Sequence, residues 1–220
     1  MKIISIILLF ISVQLSIFVP FSYSEESSRS AKERIQARRE NIIQNRQDIR
    51  EEVKQKREEA IEQFKEKREE FKEKLQSLRD ERKKKLAENI DKRLSEINKK
   101  HTERMSSVLV KLNEILSKIK TKTEEAKTNG KDVASVEAAI SEAEVAIAAA
   151  EAAVSSQAGK EYVASISDET KLRNAMGEAV RQLRADIKVV YQTVLDARKA
   201  VRNAAVELVK LRNEPTEASE

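Results

Sequence analysis

Residues 53–86 read VKQKREEAIEQFKEKREEFKEKLQSLRDERKKKL, and their apolar residues keep an interval of eleven: Val53, Phe64, Leu75, Leu86. The column extends back through Ile42 to Ala31 and forward through Ile97, Val108 and Ile119, and Gly130 closes it. Charge follows the same ruler. The third and fourth places after a column residue are mostly basic, as in Lys56-Arg57 and Lys67-Arg68; the next two are mostly acidic, as in Glu58-Glu59, Glu69-Glu70 and Asp80-Glu81. Eleven residues in three turns is about 3.67 per turn, so such a strip runs straight or drifts towards a right-handed supercoil. The expected fold is all-α, a long charged rod helix with an eleven-residue repeat leading into an antiparallel three-helix bundle.

Composition supports helix throughout. Charged residues are 37% and aromatics 4%, with three glycines, two prolines and no cysteine or tryptophan in 220 residues. The turn-punctuated β-branched runs that a sheet needs are nearly absent. No glycine or proline falls between Ser22 and Asn129, so nothing in backbone chemistry forces the helix to stop there. Unbroken from Ser28 to Thr128, it would extend on the order of 150 Å. Pairs four apart, such as Glu52/Lys56, Glu70/Lys74 and Asp80/Lys84, add about 0.2–0.5 kcal/mol each.

The amino end differs. Lys2 precedes an apolar run from Ile3 to Val19, Pro20 breaks it, and Ser22 and Ser24 supply the small residues of a signal-peptidase site. Residues 1–24 read as a signal peptide; the alternative is a membrane anchor through 3–21, which the basic residues after the run argue against. The net charge of +5 is unevenly spread: Arg29 to Arg104 holds 25 Lys/Arg against 18 Asp/Glu, whereas Met105 to Glu220 holds 17 against 18.

The expected domains are a charged rod or coiled coil over 28–104, a three-helix bundle over 105–212 and a disordered tail over 213–220. Asn129-Gly130 supplies a helix stop and Asp132 a cap for a second helix with the seam Val133, Val136, Ile140, Ala143, Ile147, Ala150, Val154. Ser155 to Ser167 reads as a loop whose Tyr162, Val163 and Ile166 tuck beneath the helices. A cap at Ser167 or Asp168 opens a last helix with a stripe from Leu172 to Leu211. That helix overhangs the middle one by about 27 Å. Either the stripe self-associates through Val194, Val201 and Leu208, or the helices are not level.

The bundle resembles a group of uncharacterised secreted helical proteins of candidate-phyla-radiation (Patescibacteria) bacteria. The likeness rests on Arg104-Met105, Lys111-Leu112, Ile115, Ile119, Lys122, the Gly130-Lys131-Asp132-Val133 turn and the run Ala138-Ala139-Ile140-Ser141-Glu142-Ala143, and covers about half the chain. It implies no activity. The rod also looks like periplasmic holdase chaperones of the Skp type in being exported, basic and coiled, but lacks the strand-forming segments of their trimer core.

Catalytic material is scarce. His101 is the only histidine, placed on the apolar strip between Ile97 and Met105 as a half-buried seam residue, and the carboxylates build no enclosing pocket. No catalytic, cofactor or metal residues are assigned, and no small-molecule substrate is expected. Phe64 and Phe71, seven apart, are candidate self-association residues that knit two rods together, with Val194, Val201 and Leu208 in the bundle. Arg82, Lys83, Lys84 and Lys85 are a candidate anion contact. The rod has three possible fates: coiled coil, solitary salt-bridged helix, or lipid-surface helix.

The leading expectation is a non-enzymatic exported protein of the cell envelope or extracellular space, spacing, tethering or scaffolding through a coiled-coil rod, with partner helices or a homo-oligomer. The alternative is a binding module whose basic rod holds an anionic polymer, membrane surface or unfolded client protein.

Overall fold

The computed structural model describes residues 23–166 and 168–213, and its regular elements are all helices: α1 (Tyr23–Gln63), α2 (Lys65–Gln76), α3 (Glu81–Thr128), α4 (Ala134–Ala158) and α5 (Leu172–Asn213). The leader read at 1–24, the anchor alternative at 3–21 and the tail fall outside the described residues, but for the few at their inner edges. Among the described residues, no helix is long and apolar enough to cross a membrane. Residues before Arg38 form a unit of their own, helical from Tyr23; the account below concerns Arg38 onward.

The all-α class holds, but the single rod does not. The chain leaves the helix at Ser77 and re-enters it at Asp80, and α3 runs back beside α1 and α2. Three arginines of the sequence ruler mark the return. Arg46 Nε lies 2.7 Å from Glu114, Arg57 lies 3.1 Å from Glu103, and Arg68 lies 3.3 Å from Asp91. One series rises as the other falls, which only an antiparallel pair produces. The extended spacer expected over 28–104 is therefore corrected: from Arg38 onward the chain forms a helical hairpin.

The turn needs neither glycine nor proline, because its backbone angles suit any residue: Ser77 at φ −74°, ψ −11° and Asp80 at φ −88°, ψ 103°. The Ser77 hydroxyl donates to the Lys74 carbonyl at 2.7 Å, and the Asp80 carboxylate accepts from the Arg82 and Lys83 amides at 2.9 and 3.2 Å. Asp80 is thus an N-cap, not the rung of a continuous helix. At Phe64 the break is slighter, because Phe64 donates to Ala60 and accepts from Arg68, both at 2.9 Å, so the ladder carries across.

Helices α3, α4 and α5 approach one another most closely and share the largest apolar cluster. The seam of α4 from Val133 to Val154 is buried at every expected position, with Ala143 and Ala150 fully covered and facing a core that includes Ala197 and Ala204. Residues without a long side chain let helix axes come near. Gly130, at φ +79°, ends α3, and Asp132 accepts from the Ala134 amide at 3.0 Å.

The overhang of α5 is resolved inside the chain. Its first turns, with Leu172 and Met176, pack on Phe71, Leu75 and Ala87, and the connecting segment lays Ala164 and Ile166 into the same cluster. Val194, Val201 and Leu208 are 4%, 2% and 6% exposed within the α3–α4–α5 core, so their stripe is satisfied without a second copy. The helices are staggered, not level. Asp168 caps the turn that precedes α5, accepting from the Thr170 hydroxyl and from the Thr170 and Lys171 amides at 2.8 and 3.0 Å, and these bonds, the hydroxyl first, hold its carboxyl down at about 2.

The eleven-residue column does not keep to one buried face. Val53, Leu75 and Ile119 are buried, whereas Leu86, Ile97 and Val108 are 61%, 42% and 37% exposed. In α3 the buried line runs instead through Leu94, Asn98, Thr102, Met105, Leu109, Leu112 and Leu116.

Candidate binding groove

Asn98 of that buried line and the buried Gln157 of α4 hold the molecule's middle together. Asn98 donates to the carbonyls of Gln157 and Lys160 at 3.0 and 2.9 Å, and Gln157 donates back to Asn98 at 2.9 Å and to the Tyr162 hydroxyl at 2.7 Å. Tyr162 donates to Asp186 at 2.8 Å, and Lys160 reaches the same carboxylate at 3.0 Å. Burial pushes the Tyr162 phenol well up, Asp186 adding to the shift and the bond from Gln157 opposing it. Burial also disfavours the Asp186 anion, but the bonds from Tyr162 and Lys160 outweigh it and lower that carboxyl.

Beside this network Arg68 gathers Asp91, Glu161 and the Ser95 hydroxyl. Burial raises the Asp91 carboxyl, with the Arg68 charge opposing and the Glu161 charge adding. These carboxylates clamp α2, α3 and the α4–α5 connection on one guanidinium.

Helices α3 and α5 lie side by side in parallel, joined by apolar packing: Ala87 clusters with Leu172 and Met176, Leu94 with Leu183, and Ile119 with Leu208. Between them, on the solvent side, runs a groove of about 840 Å³. Its floor includes the buried Leu94, Met105, Leu183 and Val194, and its walls carry the exposed apolar faces of Ile97, Val108 and Tyr191. Five cations line it: Arg93 and Arg104 from α3, Arg184, Lys188 and Arg198 from α5. No carboxylate does.

Pairing separates these cations from those of the hairpin. Arg46, Arg57, Arg68, Lys120 and Lys127 each meet a carboxylate within the chain. None of the five groove cations forms a salt bridge among the described residues. In water such an array gives a positive field over an apolar floor, a combination suited to an anionic partner with an apolar side.

The residues singled out from sequence lie elsewhere. Phe71 is buried in the second cluster and packs within the chain, whereas Phe64 is half-buried with the Lys67 ammonium 5.2 Å from its ring. Arg82 to Lys85 occupy the first turn of α3, where the helix dipole disfavours cations. Lys83 bonds Glu169 at 2.8 Å, which raises its own pKa, and Lys84 stands 3.8 Å from Glu81. Arg82 and Lys85 remain exposed at the hairpin tip. His101 is exposed on the groove wall, not half-buried in a seam. No group of three His, Asp or Glu suited to a metal ion occurs among the described residues.

The groove is hard to see in the sequence because Ile97 and Val108 fall in the apolar column that predicts a seam, and the half-buried Val180 and Ile187 and the exposed Tyr191 share the stripe side of α5. Its signal was the cations beside them, Arg93 and Arg104 eleven apart and Arg184 and Arg198 fourteen apart. Compared with protein-family models, with curated proteins and with solved structures, the chain matches none.

Proposed function

We propose that this chain is a non-enzymatic, exported binding module that holds an anionic partner in the groove between α3 and α5. One observation carries the reading: five unpaired cations surround an apolar floor with no carboxylate in the lining. Export rests on the leader composition. A spacing or tethering role loses its support, because it required an extended first half and α3 returns along α1 and α2. The titratable groups that burial perturbs are engaged in holding elements together: Asp91 faces Arg68, and Tyr162 faces Asp186.

The test uses 1-anilinonaphthalene-8-sulfonate, an anion with an apolar body. The folded full chain should enhance its fluorescence, and the double variant Arg104→Glu/Arg184→Glu should weaken binding about tenfold, equivalent to ~1.4 kcal/mol. Equal binding by both proteins would refute the assignment of the groove.

A further inference from the structure

We infer that the occupant of this groove is an acidic amphipathic α-helix from another polypeptide. The inference rests on the binding reading above and adds the partner's form. Along α3 the lining runs from Ile90 to Val108, and along α5 from Val180 to Arg198. Each span is about 27 Å, or five helical turns. Two parallel helices with an apolar floor between them form a seat for a third helix, which lays residues at i, i+3, i+4 and i+7 against it.

Charge distribution selects among anionic occupants. With Leu94 beside Leu183, the helical rise puts Arg93 and Arg184 near one end, Lys188 midway, and Arg104 and Arg198 towards the other, a spread of about 24 Å. Cations also stand on both rims, since α3 and α5 each contribute. A single-chain amphiphile carries its charge at one end and would leave most of these cations beside hydrocarbon, where an unpaired charge is costly. A polyanion without apolar groups would leave Ile97 and Tyr191 in water. An acidic helix satisfies both demands, with carboxylates flanking one apolar stripe along its length.

A second copy of the chain fits poorly. Its cation-free helix is α4, but three of its four carboxylates, Glu137, Glu144 and Glu151, are already bonded to Lys127, Lys120 and Asn113, and Glu142 alone cannot match five cations on two rims. A two-fold pairing of grooves would set like charges face to face.

The probe is an 18-residue synthetic peptide with leucines at i, i+3, i+4 and i+7 and glutamates on both flanks. It is compared by fluorescence polarisation and circular dichroism with a lysine-flanked copy, a scrambled copy and palmitate. The full chain should bind the acidic peptide, raise its helicity and bind the scrambled and lysine copies at least about tenfold more weakly. Arg104→Glu/Arg184→Glu should weaken the acidic peptide about tenfold, and Ile97→Asp, at an exposed position, should do the same without charge reversal. Unchanged thermal melting of both variants shows that folding is intact. If palmitate binds and competes with the naphthalene dye while the acidic peptide does not bind, the helix inference falls and the anionic-groove reading stands. If neither binds, both fall. Equal affinity for the ordered and scrambled peptides also overturns the inference, because charge alone would then suffice.

Discussion

Asn98 is a polar residue in a row of leucines, and its neighbours give the reason. Its amide satisfies the buried Gln157 carbonyl and the part-buried Lys160 carbonyl where α4 ends, a position no apolar side chain could fill without leaving the first unpaired. Asn98→Ala should therefore cost about 2–3 kcal/mol in urea denaturation, whereas Lys72→Ala, which removes an exposed pair with Glu69, should stay within about 0.5 kcal/mol. Tyr162 adds a pH signature. Its phenol is raised above the ordinary value near 10, so the folded chain keeps a proton that the unfolded chain has released. Stability from this group is complete below about pH 10 and is lost as pH rises beyond it. Comparing unfolding free energies at about pH 8 and pH 10.5, Tyr162→Phe should lose less over that interval than the parent. Equal losses would show that the phenol does not take part.

The helices were legible because periodicity and capping are local. Asn129-Gly130 ends α3 where its residues predict, and Asp132, one residue ahead of the α4 N-cap position, bonds the first amide of that helix, whereas Asp168 caps the turn before α5 and not the helix itself. The turn at 77–80 was not legible. Asp80 was read as a salt-bridge partner for Lys84, and the same side chain instead caps α3 through two backbone amides. An Asp in a charged repeat serves either purpose, and long-range packing of Phe71 and Leu75 on α5 decides between them. Arg46, Arg57 and Arg68 were likewise visible as a row, but their carboxylate partners lie across the hairpin, beyond the range of any i, i+4 rule. The register they set is testable by charge exchange. Arg57→Glu should destabilise the chain by placing two carboxylates together and by losing the bonds to the Lys99 carbonyl and Thr102, and Arg57→Glu/Glu103→Arg should recover the ion-pair part of the loss. The coupling should be about 0.5–1 kcal/mol, because Glu103 is half exposed. Additive effects would mean that the two residues do not meet.

At the scale of the whole molecule, the hairpin determines what the protein can do. Folding the first half back covers the early turns of α5, staggers α5 against α4 and leaves one face of α3 free beside α5. The column residues Ile97 and Val108 thereby become groove walls, and the long-rod account gives way to a binding surface. The groove depends on the fold-back, so the position of α1 relative to α3 is the most direct test. The chain has no cysteine, so Arg50→Cys/Lys111→Cys allows two spin labels to be placed at exposed positions and their separation read by double electron–electron resonance. Helices α1 and α3 are held within side-chain reach by Arg46 on Glu114 and Arg57 on Glu103, a separation somewhat above the ~8–10 Å of close-packed axes, and with the label arms the account predicts a narrow distribution below about 30 Å. A single helix running through both positions would separate them by roughly 90 Å, and a distribution centred there would contradict the hairpin and the groove built on it.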